Sequence, residues 1–185
     1  IGLNDLTKML GYSYSFNFED NTLTAADTAE NINALPARYD LRDKMRISPI
    51  RNQGRYGTCW AFGALTAMES ALLPESSNLF SVDHMSISNS FSMNQFDGGE
   101  YTMGMAYLAA WQGAVYEKDD PYGDGISDDS LSAVRHVQEM RIIASKDIAA
   151  IKNAVFKYGG VQTSLYSSIQ NPTSSNTHYN SVTSS

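Results

Sequence analysis

The alternation of hydrophobic and polar positions predicts two amphipathic helices in the middle of the chain. Residues 59–73 place apolar side chains on one face and small residues on another, and the pattern ends at Pro74. The apolar face consists of Phe62, Leu65, Met68, Leu72 and Leu73. A second helix is predicted over residues 101–112, because Gly113 is a typical helix stop. Residues 78–99, which join the two helices, are rich in Ser, Asn and Asp and are predicted to form a loop with short turns.

The second half of the chain alternates between the patterns of strands and helices. Residues 140–144 and 161–165 are predicted strands on either side of a helix over residues 146–158. Ser145 is the predicted N-cap of that helix, because its hydroxyl can accept a hydrogen bond from the first turn. A connector rich in Gly, Asp and Pro over residues 119–129 precedes this half, and we expect it to separate two lobes.

The two ends of the chain show weaker patterns. Residues 12–18 alternate aromatic and polar side chains, which predicts a short strand. Residues 167–185 are dominated by Ser, Thr and Asn and are predicted to form a flexible loop. The second lobe begins before this loop, and we expect it to be unfinished where the chain ends.

Composition and charge exclude several classes of protein. The chain has 185 residues with 42% hydrophobic and 11% aromatic side chains, enough to bury the core of one large domain or of two small lobes. Its formal net charge of −7, from 13 Lys and Arg against 20 Asp and Glu, argues against binding to a phosphate backbone. No stretch approaches the roughly 18 consecutive apolar residues that a membrane-spanning helix needs.

Cys59 is the candidate for chemistry. It is the one cysteine of the sequence, so the chain has no internal disulfide. It lies at the predicted start of the longest apolar helix, where unpaired N–H groups and the positive end of the helix dipole favour a thiolate. The backbone N–H of Cys59 and the side-chain amide of Gln53 could together stabilise an oxyanion, which suits acyl transfer. A buried structural cysteine is the alternative, and the residues alone leave both interpretations open.

The segments around Cys59 resemble a known family. The stretches LPARYDLR at residues 35–42 and ISPIRNQG at residues 47–54 are similar to the mature N-terminus of papain-like cysteine peptidases. GTCWAF at residues 57–62 resembles the nucleophile signature of that family, with Thr58 where Ser or Ala is usual. Supporting similarities continue downstream, so that the resemblance covers roughly residues 35–165. They are DGG at 97–99, DPY at 120–122 and GVQTSL at 160–165.

The resemblance implies an α+β, papain-like two-lobe fold. Its helical lobe would be complete in this chain, and its β-barrel-like lobe would be incomplete. Residues 1–34 would form a pro-segment-like piece or an N-terminal arm. Residues 35–122 would contain the N-terminal crossing segment and the helical lobe, and residues 123–185 would begin the β-rich lobe.

The resemblance also implies roles for individual residues. Cys59 would be the nucleophile, and Gln53 would be a donor of the oxyanion hole. Gly98 and Gly99 would pair with the backbone of the substrate, because residues without Cβ allow that close approach; an ordinary turn is the alternative.

Glu100 and Tyr101 would lie near the pocket for the second substrate residue upstream of the cut, with solvated surface positions as the alternative. Trp60 would belong to the core beside the site. No metal or organic cofactor is implied.

The catalytic histidine of the family has no clear counterpart in the sequence. The family spacing of roughly 130–150 residues after the cysteine places it at about position 189 or later, beyond Ser185. His178 is nearest to that spacing, but it lies in the Ser- and Thr-rich loop and does not begin an apolar strand. We therefore expect the base outside this chain, in a longer polypeptide or in a second chain. His84 and His136 are expected to face solvent.

Tyr56 departs from the usual family pattern, and this difference indicates which branch of the family the sequence resembles. Eukaryotic members carry a disulfide-forming cysteine at this place, so the sequence resembles a bacterial branch without those bridges, located outside the cell or at the cell envelope. Residues 1–34 are expected either to block the cleft as a pro-segment or to pack as a structural arm.

Three functions remain open from the sequence. The first is a cysteine endopeptidase that hydrolyses peptide bonds of a protein or peptide substrate through a thioester on Cys59. The second is a non-catalytic papain-like binding or surface module that lacks its histidine. The third is a cysteine acyltransferase on the same fold.

Overall fold

The computed structural model describes residues 15–17, 22–24 and 35–165. Two short strands, β1 (Ser15–Asn17) and β2 (Thr22–Thr24), pair antiparallel with Ser15 opposite Thr24. The predicted strand over residues 12–18 is therefore confirmed at its centre. The helices are α1 (Cys59–Leu72), α2 (Val82–Ile87), α3 (Tyr101–Ala109) and α4 (Ile148–Tyr158).

Helix α1 forms the centre of the helical lobe, as its apolar pattern predicts. It packs against α2 and α3, and Leu65 is completely buried between them. The approach of α1 to α3 depends on small residues, since a Cβ on Gly104 would lie 3.0 Å from the Cβ of Ala64. Other buried members of this core are Trp60, Phe80, Val82, Met85, Met103, Tyr107 and Leu108.

Helix α3 ends three residues earlier than the sequence predicts. Its last residue is Ala109, and Trp111 has a φ of 56°, in the left-handed region that interrupts a helix. The N–H of Gln112 donates to the carbonyl of Tyr107 at 3.2 Å, which closes the end of the helix. The exposed Trp111 ring contacts the ring of His136, with 4.5 Å between the centroids.

Helix α2 lies in the segment that was predicted to be a loop, and that prediction is wrong at residues 82–87. The Oγ of Ser81 accepts a hydrogen bond from the N–H of His84 at 2.9 Å, which caps the helix. The expectation that His84 faces solvent is also wrong, because its side chain is buried and its Nδ1 lies 2.6 Å from the hydroxyl of Tyr107. Polar residues of this segment have polar partners inside the protein, which composition alone does not reveal.

The second half has its helix but not its predicted strands. Residues 140–144 and 161–165 form no strand in the structure. Helix α4 begins two residues later than predicted, because Asp147 instead of Ser145 is the N-cap and accepts from the N–H of Ala150 at 2.9 Å. Gly159, with a φ of 111°, ends the helix as predicted.

Helix α4 is held against the N-terminal segment of the described chain. The Tyr39 ring contacts the ring of Phe156 at a centroid distance of 4.9 Å. Arg46 donates to the carbonyls of Ser70 at 3.2 Å and of Tyr158 at 2.7 Å, which joins the end of α1 to the end of α4. None of the described helices combines the length and the hydropathy that crossing a membrane requires.

Candidate active site

Cys59 is the first residue of α1, and its side chain is exposed. The preceding residues 52–58 are called the Cys loop below. Thr58 is the N-cap of α1, but its hydroxyl makes no capping hydrogen bond to the helix. The side-chain oxygen therefore leaves the first N–H groups of α1 available to another acceptor. This is the arrangement that an oxyanion beside Cys59 would need.

The hydroxyl of Thr58 is instead directed at Tyr122. The two hydroxyl oxygens are 2.7 Å apart, and the Tyr122 hydroxyl donates to the carbonyl oxygen of Gln53 at 2.7 Å. Because the single phenolic proton serves Gln53, the Thr58 hydroxyl is the donor in the contact with Tyr122. Burial raises the pKa of Tyr122, so this hydroxyl stays protonated as the arrangement requires. Tyr122 thus connects both ends of the Cys loop.

The side-chain amide of Gln53 lies within the same loop. Its Nε2 donates to the carbonyl of Tyr56 at 2.8 Å, which occupies one of its two N–H groups. The second N–H is left for another acceptor. The structure therefore places Gln53 on the loop that precedes Cys59, with its amide in a turn rather than on the wall of the cavity described below.

The Cys loop and the first turn of α1 lie against the two glycines that the sequence singled out. Gly57 donates its N–H to the carbonyl of Gln95 at 2.7 Å. A Cβ on Gly57 would lie 2.8 Å from both the nitrogen and the Cα of Gly98, and Gly98 itself has a φ of 83°. Gly99 packs so closely on the Trp60 indole that a Cβ there would overlap it. Glycine is required at positions 57 and 99 because there is no room for a Cβ, and it is favoured at position 98 because of the positive φ.

A cavity of about 570 Å³ opens beside Cys59. This volume lies within the range of roughly 300–1,000 Å³ that is typical of ligand sites. Residues of α1, the segment 99–101 and the segment 160–165 line it. The cavity therefore brings Cys59 together with three of the predicted substrate-binding residues, which are Gly99, Glu100 and Tyr101. Gln53 and Gly98 lie outside its lining.

The far wall of the cavity is fixed by hydrogen bonds to α1. The side-chain amide of Gln162 donates to the carbonyl of Trp60 at 3.1 Å. The N–H of Gly160 donates to the Oγ of Ser70 at 2.8 Å. Residues 161–165 were predicted as a strand, but they form none in the structure, and these contacts hold the segment 160–165 beside α1.

A buried ion pair connects Arg51, the residue before the Cys loop, to α1. Arg51 contacts Glu69 of α1 at 2.8 Å, and it also donates to the carbonyl of Phe80 at 3.0 Å. Glu117 accepts from the N–H of Tyr122 at 3.0 Å, and burial raises the pKa of its carboxyl. The helix and strand patterns of the sequence do not reveal this support, although the charge of Glu69 in the middle of an apolar helix is a signal for a buried partner.

None of the histidines in the described part of the chain lines the cavity beside Cys59. His84 is buried against Tyr107, and burial lowers its pKa. His136 contacts Trp111 and is exposed, as predicted. His178 lies outside the described residues. The structure also shows no group of three or more His, Cys, Asp or Glu residues within its described part that could hold a metal ion.

The sequence matches a family model across most of its length. The model of the papain family of cysteine proteases covers residues 35–182. The chain therefore belongs to the papain family of cysteine proteases, and the resemblance noted in the sequence is confirmed.

Curated relatives agree with this assignment. The chain is 31% identical over 105 residues to Peptidase 1 of Dermatophagoides farinae, covering 57% of this chain and 32% of that protein. It is 26% identical over 140 residues to cathepsin K of Mus musculus, covering 73% of this chain and 42% of that protein. The chain thus spans less than half of the length of either relative.

Solved structures support the fold. The cysteine protease and lectin-like domains of Cwp84, a surface layer associated protein of Clostridium difficile, match with a TM-score of 0.54 and 24% identity, over 65% of this chain and 30% of that one. The clostridial cysteine protease Cwp84 after propeptide cleavage matches with a TM-score of 0.52 and 23% identity, over 65% of this chain and 34% of that one. The papain-like fold is confirmed. Its helical lobe is present, and its β-rich lobe is incomplete within the described residues.

Proposed function

We propose that this chain carries the nucleophile and the substrate cleft of a cysteine endopeptidase. The observation that carries the proposal is the exposed Cys59 thiol at the start of α1, on the wall of a ligand-sized cavity. Membership of the papain family supports a peptide as the substrate. The substrate backbone would lie along Gly98 and Gly99, with Glu100 and Tyr101 beside the second residue upstream of the cut.

The proposed reaction proceeds through a thioester. The Cys59 thiolate attacks the carbonyl carbon of the scissile peptide bond, and the resulting oxyanion accepts hydrogen bonds from the Cys59 N–H and the Gln53 amide. The C–N bond breaks as an imidazolium protonates the leaving amine. Water then attacks the thioester carbonyl and the imidazole accepts its proton. The C–S bond breaks, the carboxylic acid leaves, and the Cys59 thiolate is regenerated beside the imidazolium.

The proposed reaction requires a histidine. His178 is the candidate base within this chain beyond the described part. A histidine from polypeptide outside these 185 residues is the second candidate, and the family spacing from Cys59 favours it. The domain division goes with this proposal: residues 35–122 supply Cys59 and Gln53, residues 123–185 begin the β-rich lobe, and residues 1–34 cover the cleft or form an arm.

A non-catalytic binding or surface module is the second candidate function. It is favoured by the positions of His84 and His136, neither of which lines the cavity. We further propose a bacterial protein located outside the cell or at its envelope. The surface layer association that is stated for Cwp84 supports that location.

Hydrolysis of a fluorogenic peptide mixture tests the two candidates. The endopeptidase predicts cleavage products with the 185-residue chain when His178 is the base, and only with a longer polypeptide that supplies the histidine when the base lies outside these residues. In either case cleavage is lost in Cys59→Ser and is slower in Gln53→Ala. Loss of one oxyanion donor lowers the rate by about 100-fold or more. Cleavage that survives Cys59→Ser would refute Cys59 as the nucleophile. Peptide binding with neither cleavage nor a thioester adduct would support the module.

A His178→Ala variant in the same assay identifies the base. If cleavage is lost together with His178, the base lies in this chain. If cleavage is unchanged, His178 has no role in it.

A further inference from the structure

The cavity beside Cys59 has one charged side chain on its wall. Of the residues that line it, Glu100 is an acid and all the others are neutral. The neutral lining consists of glycines, apolar side chains, hydroxyls, one amide and the Cys59 thiol. A ligand in this cavity therefore meets a single negative charge, and no positive charge from the lining compensates it.

The backbone positions Glu100 firmly at this place. It directly follows Gly99, which is packed on the Trp60 indole. Glu100 is the N-cap of α3 with extended backbone angles of −136° and 170°, and its carboxylate makes no capping hydrogen bond. The side chain of Glu100 therefore does not cap the start of α3.

One oxygen of the Glu100 carboxylate is held and the other remains for a ligand. The hydroxyl of Thr102 donates to Oε1 at 2.8 Å. Within residues 35–165, no Lys or Arg forms an ion pair with this carboxylate. The cavity thus presents a carboxylate that is oriented by a neutral donor and is not neutralised by a cation.

We propose that Glu100 makes this cavity select substrates that place a Lys or Arg side chain in it. The inference rests on the proposed peptidase function and adds the substrate class, namely peptides that are basic beside the cut. A carboxylate attracts a cationic side chain and repels an acidic one, and the exposure of Glu100 keeps this effect modest. The net charge of −7 acts in the same direction, because it attracts cationic peptides toward the chain.

Peptidyl chloromethyl ketones test the selection without requiring turnover. The Cys59 thiolate displaces chloride from the reagent and forms a thioether, and intact mass reports the adduct. Cys59→Ser, which has no thiol, measures how much adduct forms at other side chains. Three reagents carry Lys, Met or Glu at the second position upstream of the ketone and are otherwise identical. Their rate constants are measured at pH 8 in low salt, and each is divided by its rate with glutathione.

The Lys reagent should label Cys59 about tenfold faster than the Glu reagent, because each charge contact with an exposed partner changes the rate by about threefold. Glu100→Gln should reduce this ratio to near one, and Glu100→Asp, which keeps the carboxylate, should retain most of it. Glu75→Gln is the matched control, because it removes the same charge from an exposed position outside the cavity. Salt at 0.5 M should weaken the preference.

Two failures are distinguishable. In the first, the peptidyl reagents label Cys59 faster than chloroacetamide, with all rates divided by those with glutathione, but they show no charge preference or keep it in Glu100→Gln. The inference about Glu100 is then overturned and the peptide cleft stands. If no peptidyl reagent outpaces chloroacetamide, both the cleft and the selection by Glu100 are overturned. Circular dichroism of each variant confirms that it is folded.

Discussion

The hydroxyls of Thr58 and Tyr122 lie 2.7 Å apart, although 64 positions separate them in the sequence. Thr58 is completely buried and immediately precedes Cys59, so this contact fixes the start of α1 from a distant connector. The same Tyr122 hydroxyl donates to the carbonyl of Gln53. The conformation of the Cys loop therefore depends on residue 122 as much as on its own sequence.

Tyr122→Phe should destabilise the protein and disturb the Cys loop. The variant leaves the buried Thr58 hydroxyl without its acceptor and the Gln53 carbonyl without its donor, a loss of about 1–3 kcal/mol in the free energy of unfolding. Urea denaturation measures this loss, and the rate of Cys59 alkylation by iodoacetamide reports on the loop. Tyr116→Phe, in which the ring that stacks on Phe80 is kept, is the control. Equal stabilities of the two variants would contradict the role of the Tyr122 hydroxyl.

The Arg51–Glu69 ion pair should be among the most sensitive contacts of the helical lobe. The Glu69 side chain is 2% exposed and that of Arg51 is 14% exposed, so removing one partner leaves a poorly solvated charge. Glu69→Ala should lower the free energy of unfolding by about 3–5 kcal/mol, measured by urea denaturation.

A matched surface variant separates burial from charge. Arg38→Ala removes a 76% exposed arginine from its contacts with Asp40 and Asp43, and we expect a change below about 1 kcal/mol. The double variant Arg51→Met with Glu69→Met should be more stable than Glu69→Ala, because it leaves no buried charge at either position, although the half-buried Glu117 loses its 3.4 Å contact with Arg51. An equal loss from Arg38→Ala and Glu69→Ala would argue against a buried pair.

His84 should make the protein less stable in mild acid. Burial lowers its pKa below the value of about 6.5 for an unfolded chain, although Asp120, Asp129 and Asp128 oppose this effect. The unfolded chain therefore binds a proton first. The contribution of neutral His84 is complete above about pH 6.5 and is lost as the pH falls toward the folded pKa, at up to about 1.4 kcal/mol per pH unit.

Urea midpoints between pH 5 and pH 8 measure this dependence. His84→Gln should flatten the curve below pH 6.5, whereas His136→Gln, at the exposed histidine, should leave it unchanged. Parallel curves for the parent chain and His84→Gln would show that another group is responsible.

Gly57→Ala should force the Cys loop away from the Gly98 segment. The new Cβ would lie 2.8 Å from the Gly98 backbone, and neither side of this contact is a flexible side chain. Gly54→Ala is the control within the same loop, since it has open space and pays only for its φ of 61°. Gly57→Ala should lose more stability than Gly54→Ala and should alter the alkylation rate of Cys59. Equal losses of stability in the two variants would mean that the Cys loop can move away from Gly98 without cost.

The sequence predicts the helix bounds that are set by residues close to one another along the chain. The apolar face and Pro74 gave α1 within one residue, and Gly159 gave the end of α4. Motif resemblance identified Cys59, Gly99, Glu100 and Tyr101, which the structure brings to one cavity. The roles of these residues and of Gln53 stay predictions.

The missed features depend on partners that are distant in the sequence. Asp83 in α2 accepts hydrogen bonds from Gln95 at 2.6 Å and from the N–H of Gly123 at 2.8 Å, so a polar segment became a buried helix. Residues 161–165 alternate like a strand, but strand pairing needs a neighbouring strand, and the described chain provides none beside them.

The guanidinium of Arg46 connects three parts of the chain by hydrogen bonds. It belongs to the N-terminal segment and holds the last turn of α1 and the last residue of α4 together. Any proteolytic trimming that removes residues 1–34 must therefore stop before this segment. A cut that released residues 39–46 would remove the contacts of Arg46 with both helix ends at once. The wall of the cavity that follows Tyr158 would be left with the contacts of Gly160 and Gln162 to the helix that begins with Cys59.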